Sequence, residues 1–282
     1  MSEACSLYGV RAAGMSIIWH NGVLCPLEQA RISPMDRGYT LGDGLFETMR
    51  VRAGCVMNLY AHMRRLAEGG RVLNLAVPDT ATVRQAAADL AEAIGLVEGA
   101  MRLTVTRGEG PRGLLPAQDA APTMTLVAST GGFAVSEARV MTSRLIRRDE
   151  TSPLSRIKSL NYLPSILARQ EAARAGADDA LLLNVAGRVA ESTVGTLVIA
   201  ADDGLLTPPV ADGALPGVAR GVLIGQGMLR EHPLDTEQIL WAHGAWLVNT
   251  LSLRVMTRLD TQVMAQDADM TRRIVDCLQQ GE

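Results

Sequence analysis

The chain has 282 residues, 48 % hydrophobic and 20 % charged, enough for one large domain or two medium ones with a substantial core. A formal net charge of −3 gives no electrostatic case for nucleic acid, and no apolar run approaches the roughly 20 residues of a membrane span. Four cysteines (Cys5, Cys25, Cys55, Cys277) without CxxC spacing read as reduced thiols of a cytoplasmic protein. Four histidines (His20, His62, His232, His243) form no zinc pattern.

In chain order, residues 1–15 lack the apolar core of a signal peptide and read as a frayed extension. Ser16 to Pro26 is β-rich around Asn21-Gly22, a two-residue hairpin signal. Ser33 to Gly44 reads as a turn-rich loop. Leu45 to Leu59 reads as two strands about Ala53-Gly54. A helix follows with Leu59, Met63, Leu66 and Leu73 on its apolar face, and Thr80 to Leu96 is a second amphipathic helix. MRLTVTRG is a strand running into the loop Gly108 to Pro116. TMTLVAS is another strand, and Thr130 to Phe133 reads as a linker. Arg139 to Ser143 is expected as a strand, Asn161 to Ala175 as a helix, and Ala180 to Leu183 as a strand. Thr196 to Ala200 and Gly204 to Thr207 flank an Asp-Asp-Gly turn. A helix begins near Gly217 behind Pro216, Ala245 to Thr250 is a strand, and Met270 to Gln279 closes the chain as a helix. The pattern predicts an α/β (α+β) protein of two parts: a small N-terminal α/β domain over 1–130, a linker over 131–136, and a larger C-terminal domain over 137–282.

The most informative stretch is SRIKSLNYL, Ser155 to Leu163. Lys158 stands just before a helical pattern marked by Leu160, Leu163 and Leu167, in a segment too apolar for an ordinary solvated turn. A lysine used in chemistry has to be held on a rigid element and partly desolvated, so that its amine is neutral often enough to attack a carbonyl. The run SPLSRIKSLNYLPSILARQEAARAGADDALLLNVAGRVAE resembles the core of the class IV aminotransferases, the fold-type IV enzymes of pyridoxal 5'-phosphate (PLP). The resemblance extends from about Asn21 to Leu259. It includes the N-terminal pattern DRG, then GDG, then an aromatic residue followed by Glu-Thr.

That resemblance implies a two-domain fold in which the C-terminal domain binds PLP, and it assigns roles residue by residue. Lys158 matches the lysine that binds PLP as a Schiff base. Arg65 matches the phosphate-binding arginine, whose planar guanidinium suits phosphate. Val218 and Ala219 would offer backbone N–H groups at a helix N-terminus to the same phosphate, with Thr250 as a further hydroxyl. Glu191 matches the acid of the pyridine nitrogen, which keeps the ring cationic, and Tyr162 the partner of the phenolic oxygen. Two positions depart from the pattern: Ala219 stands where related aminotransferases usually carry threonine, and Thr196 where many carry asparagine.

For the substrate, Tyr39 and Arg112 match groups of D-amino-acid aminotransferases. The arginine would be contributed across a homodimer interface, although Leu114 replaces the histidine expected beside it. Thr48, the GVAR run and Asn249 next to Thr250 resemble the 4-amino-4-deoxychorismate lyase branch. The resemblance therefore favours that lyase, forming 4-aminobenzoate and pyruvate. A D-amino-acid or other α-aminotransferase stays open, with branched-chain specificity behind it. A cofactor-free dimeric paralogue is the reading from another class.

Overall fold

The structure is a computed structural model that describes residues 17–280 apart from positions 118 and 203. The expected N-terminal extension lies outside the described residues. Two sheets organise the rest. The first has six strands in the order β2-β1-β6-β5-β3-β4: β1 Ile17–His20, β2 Val23–Pro26, β3 Gly44–Arg52, β4 Cys55–Val56, β5 Gly99–Thr106 and β6 Thr123–Thr130. All its pairings are antiparallel. Both short hairpins are set by left-handed turn residues, Asn21-Gly22 (φ 46° and 98°) and Ala53-Gly54 (φ 49° and 75°). These are the values that a two-residue turn needs to match strand twist. Alternation along β3 and β5 sends Leu45, Met49, Val51, Met101, Leu103 and Val105 to one face. There they form a core with Met63 and Leu66 of helix α2 (Leu59–Leu73) and Val83 and Leu90 of α3 (Thr80–Ile94).

Thr130 and Ala134 end one sheet and open the other. The second sheet has nine strands, β12-β11-β10-β13-β14-β7-β8-β9 with β15 paired to β14. Its members are β7 Ala134–Arg148, β8 Asp179–Asn184, β9 Val189–Ser192, β10 Thr196–Ala201, β11 Gly204–Thr207, β12 Leu229–Glu231, β13 Gly244–Val248, β14 Ser252–Leu259 and β15 Gln262–Val263. Parallel pairings join β7 to β14 and β8, and β11 to β12. One face carries a core of Leu181, Leu197, Ile199 and Leu247. The other packs Val198, Trp246 and Leu253 against Leu223 of α5 (Val218–Gly225) and Ile274 of the closing helix Ala268–Gln279.

The structure corrects several expectations. The turn-rich loop contains a short helix, α1 (Arg37–Leu41), started by Asp36, whose side chain accepts from the Gly38 and Tyr39 N–H groups, and stopped by Gly42 at φ 68°. Strand β7 runs from Ala134 to Arg148, so residues 134–136 are strand and not linker; only Ala138, Val140 and Ser143 of it are fully buried. Helix α4 spans Leu163–Arg174, two residues later than expected. Pro164 explains the shift, since its ring is tolerated only in the first turn, where no i−4 carbonyl is needed. Its leucine stripe also faces outward. Ala168 and Ala172 pack on Ala180 and Leu182 of β8, while Leu163, Ile166 and Leu167 are exposed. Finally, β13 ends at Val248, because Asn249 turns the chain by accepting the Leu251 and Ser252 N–H groups on its side-chain oxygen.

Candidate active site

Lys158 is set in place by backbone pairing. The Phe46 N–H donates to the Lys158 carbonyl (3.0 Å), the Leu160 N–H donates to the Gly44 carbonyl (3.0 Å), and Ser159 bridges Leu45. The lysine segment thus adds to the start of β3, and its side chain meets the face opposite the N-terminal core. There Lys158 Nζ lies 3.0 Å from the Tyr162 hydroxyl and 4.3 Å from the centre of the Phe46 ring. Phe46 and Tyr162 meet edge to face at 5.0 Å, and the Arg102 guanidinium stacks on Phe46 at 3.7 Å. Lys158 is the only lysine in the chain.

Arg65, on α2, is not on a solvated helix face. Its Nε and Nη2 donate to the two oxygens of Glu47, which is fully buried on β3, and its Nη1 donates to the Pro216 carbonyl at 3.3 Å. Glu47 also meets His62 Nδ1 at 2.7 Å. Burial pushes the Glu47 carboxyl up, but the hydrogen bonds and charge of Arg65, with His62, outweigh it and leave the group below its ordinary value. Burial holds His62 below its ordinary value despite that carboxylate. Pro216 directly precedes α5, whose N-cap is Gly217. A Cβ there would come 3.0 Å from the Thr196 hydroxyl oxygen, so the close approach of this helix start to β10 favours glycine. Val218 and Ala219 in its first turn are buried, and no side chain caps the helix. Its leading N–H groups, beside Arg65, are a ready anion cradle.

Glu191, on β9, has one oxygen in an ion pair with Arg148, 3.0 Å from its Nε, and accepts from the Leu215 N–H at 3.0 Å on the other. Burial raises its pKa, against the opposing charge of Arg148. Arg148 itself is pinned, donating to the Gly213 and Ser155 carbonyls at 3.1 and 2.8 Å. Thr48 is half-buried on β3, on the same face as Phe46 by alternation. Its carbonyl accepts from the Thr250 hydroxyl at 3.2 Å. Asn249 Nδ2 reaches the Val194 carbonyl at 3.4 Å.

Lys158, Tyr162, Arg65, Glu191, Val218, Ala219, Thr48, Thr250 and Asn249 are therefore linked by short chains of contacts across the two sheets. Tyr39 and Arg112 are not: both are exposed, and no hydrogen bond or ring contact ties either to Lys158 among the described residues. Sequence reading missed Glu47, His62, Phe46 and Arg148. A charge at Glu47, on the same strand parity as Leu45, Met49 and Val51, was the available signal.

A phosphorylated pyridine aldehyde asks for one amine, an anion cradle at one end and an acid at the other. Lys158, the uncapped α5 start with Arg65, and Glu191 answer those needs, so the residues fit PLP. The comparisons agree. Residues 44–258 match the family model of amino-transferase class IV. A provisionally named branched-chain-amino-acid aminotransferase of Methanocaldococcus jannaschii is 34 % identical over 212 residues, 73 % of each chain. A bifunctional aminodeoxychorismate lyase / D-amino acid transaminase of Mycobacterium tuberculosis is 30 % identical over 238 residues, covering 75 % of this chain and 80 % of its own. The solved branched-chain aminotransferase of Thermoproteus uzoniensis with norvaline superimposes with a TM-score of 0.87 at 25 % identity, over 94 % of each chain. The chain belongs to the amino-transferase class IV family and is a PLP-dependent enzyme.

Proposed function

We propose that this enzyme is a 4-amino-4-deoxychorismate lyase, releasing 4-aminobenzoate and pyruvate. The observation that carries the reading is Thr48, a half-buried hydroxyl on the strand face that bears Phe46, the ring against which Lys158 packs. PLP, when bound, supplies an electron sink for a carbon that carries an amine. Lys158 acts as general base and takes the proton from the amine-bearing ring carbon. Tyr162, at 3.0 Å, orients its amine, and the Phe46 ring favours the ammonium that forms. Thr48 donates a hydrogen bond to the ether oxygen as the C–O bond breaks and negative charge develops there. The enolpyruvyl group leaves as pyruvate, and aromatisation draws the reaction forward. Arg65 and the α5 amides would hold the phosphate, and Glu191, fixed by Arg148 and the Leu215 N–H, would serve the pyridine nitrogen.

The second reading is a D-amino-acid aminotransferase, favoured by the exposed Arg112 on its loop; the M. tuberculosis relative is named for both activities. A homodimer fits both. Leu163, Ile166 and Leu167 of α4 are exposed, as are Tyr39 and Leu41 of α1, and Asn161, two residues before α4, donates from Nδ2 to the carbonyl of Gly42, the residue after α1, at 3.2 Å. A second copy would cover these residues and bring its Arg112 to the site. A cytoplasmic location fits the unpaired Cys25, Cys55 and Cys277. Parallel assays on 4-amino-4-deoxychorismate and on D-alanine with 2-oxoglutarate decide between the two. The lyase reading expects 4-aminobenzoate at the faster turnover, and fast D-alanine consumption with an untouched ring substrate overturns it.

A further inference from the structure

In the loop Gly108 to Pro116, the first residues are tied to the segment before α1 by backbone pairing, and the Gly113 and Leu114 carbonyls are held by the side chain of Arg37. Arg37, only 4 % exposed, donates from Nη1 to the Gly113 carbonyl (2.8 Å) and from Nη2 to the Leu114 carbonyl (2.7 Å). Its own backbone N–H donates to the Gly108 carbonyl at 2.8 Å. The side chain runs so close under the loop that a Cβ on Gly110 would come 2.9 Å from Arg37 Cδ. Arg37 Nε donates to Asp43 at 2.9 Å, and the same carboxylate accepts from Arg107 Nε and Nη2 at 2.8 and 3.0 Å. Arg107 continues to the Leu73 and Asn74 carbonyls at the end of α2, both at 2.8 Å. Burial pushes the Asp43 carboxyl up, yet its two arginines hold it below the ordinary value, so the bridge is ionic at neutral pH.

The Arg107 half of this network secures α2, the helix that carries Arg65. The Arg37 half serves no core. Leu114 and Leu115 are 85 % and 87 % exposed, and the loop includes Gly108 and Gly113 at φ 83° and 124°. A buried guanidinium that directs two of its donors at the carbonyls of an exposed loop orders that loop, and ordering it costs entropy that those two bonds offset. The carbonyls it holds directly follow Arg112, and Tyr39 sits two residues from Arg37 on α1. We propose that Arg37 is a positioning residue: by fixing the Gly113 and Leu114 carbonyls it sets where Arg112 presents its guanidinium to a substrate carboxylate. The inference rests on the proposed reading of Arg112 as a carboxylate contact.

The test uses the PLP-loaded enzyme and the Arg37→Met, Arg112→Ala and double variants. Hydrogen exchange is measured on the peptide spanning residues 108–116, and kcat and KM with D-alanine or the ring substrate, whichever is turned over. Arg37→Met is expected to speed exchange in the loop and raise KM about tenfold to a hundredfold, the size of one charge-assisted carboxylate contact. It should leave kcat and the absorbance of bound cofactor within about twofold. The double variant should be no worse than Arg112→Ala alone, because both lesions remove one interaction. If Arg112→Ala raises KM and Arg37→Met does not, or if the two effects multiply, the positioning role is overturned. If Arg112→Ala itself leaves KM unchanged, the reading of Arg112 fails and the inference falls with it. Should Arg37→Met not fold, Arg37→Lys serves the same comparison. It keeps a cation for Asp43 but lacks the planar fork that spans both carbonyls, so the same KM rise is expected with the fold intact.

Discussion

Glu47→Gln removes one charge without changing shape, at a position where that charge has three hydrogen-bond donors to satisfy. Glu47 is fully buried and accepts from Arg65 Nε at 2.8 Å, Arg65 Nη2 and His62 Nδ1 at 2.7 Å. The glutamine amide would set a donor against one of these donors and leave the Arg65 guanidinium, whose side chain is 9 % exposed, without its counter-charge. Breaking a buried pair in this way costs about 3–5 kcal/mol. The low end is expected, because Arg65 keeps the Pro216 carbonyl. Urea unfolding of the apoenzyme should show that loss, and fluorescence titration should show PLP binding weakened by roughly tenfold or more as the guanidinium loses its aim. The wild-type pair also predicts acid sensitivity. A carboxyl held below its ordinary value of 4.5 contributes stability that is fully present above 4.5 and is lost as the pH falls through the lower folded value. His62, a base held below 6.5, adds a slope of the same sign: below 6.5 the unfolded chain binds a proton that the folded chain does not. A Glu47→Gln protein within about 1 kcal/mol of wild type, with unchanged PLP affinity, would show that Glu47 does not hold Arg65.

Lys158→Ala removes the chain's only side-chain amine, so the visible absorbance of lysine-bound cofactor should vanish while the folded state persists; turnover at the wild-type rate would refute the assignment. Arg65→Lys should weaken PLP retention by about 1.5–3 kcal/mol, since an ammonium cannot serve Glu47 bidentately and still face a phosphate. An unchanged dissociation constant removes Arg65 from the cradle. Thr48→Val keeps the volume and should lower lyase turnover by roughly 10²–10⁴-fold, leaving PLP binding and the slow reaction with D-alanine nearly intact. Equal loss of both activities would make Thr48 a packing residue.

Much of the fold was legible because local chemistry agreed with the final packing. Asn21, Gly22 and Gly54 take the left-handed angles that their residue types favour, while Ala53 is held there by the hairpin turn, and α2 and α3 bury the stripes that their periodicity marks. Where reading failed, a long-range partner had changed the rule. Strand β7 is mostly polar because it is held by parallel pairing to β14 and β8 and not by two apolar faces. Helix α4 deceived for the opposite reason: its leucines mark an outward face, and two alanines let it lie close on β8. Periodicity identifies a helix, but it does not say which apolar stripe belongs to its own chain.

The candidate site residues were named through resemblance, and the structure adds a physical criterion that needs none. Glu47 sits at the inward parity of β3, between Leu45 and Met49, so the strand pattern alone places a charge in the core. A buried carboxylate has to find donors or lose its charge, and the helix packed on that strand carries His62 and Arg65 on the turn above. The same reasoning reaches Arg148: the half-buried Glu191 is served by a partner, and the strand end leading toward Lys158 supplies it. Lys158 stands out in another way. A chain with 27 basic residues that uses arginine at every other basic position has kept one amine. It lies beside a phenol and a phenyl ring, and among the described residues no ion pair engages its nitrogen, which suits the proposed role. A structural cation would be served as well by arginine, whereas an amine that must lose its proton and bond to carbon would not.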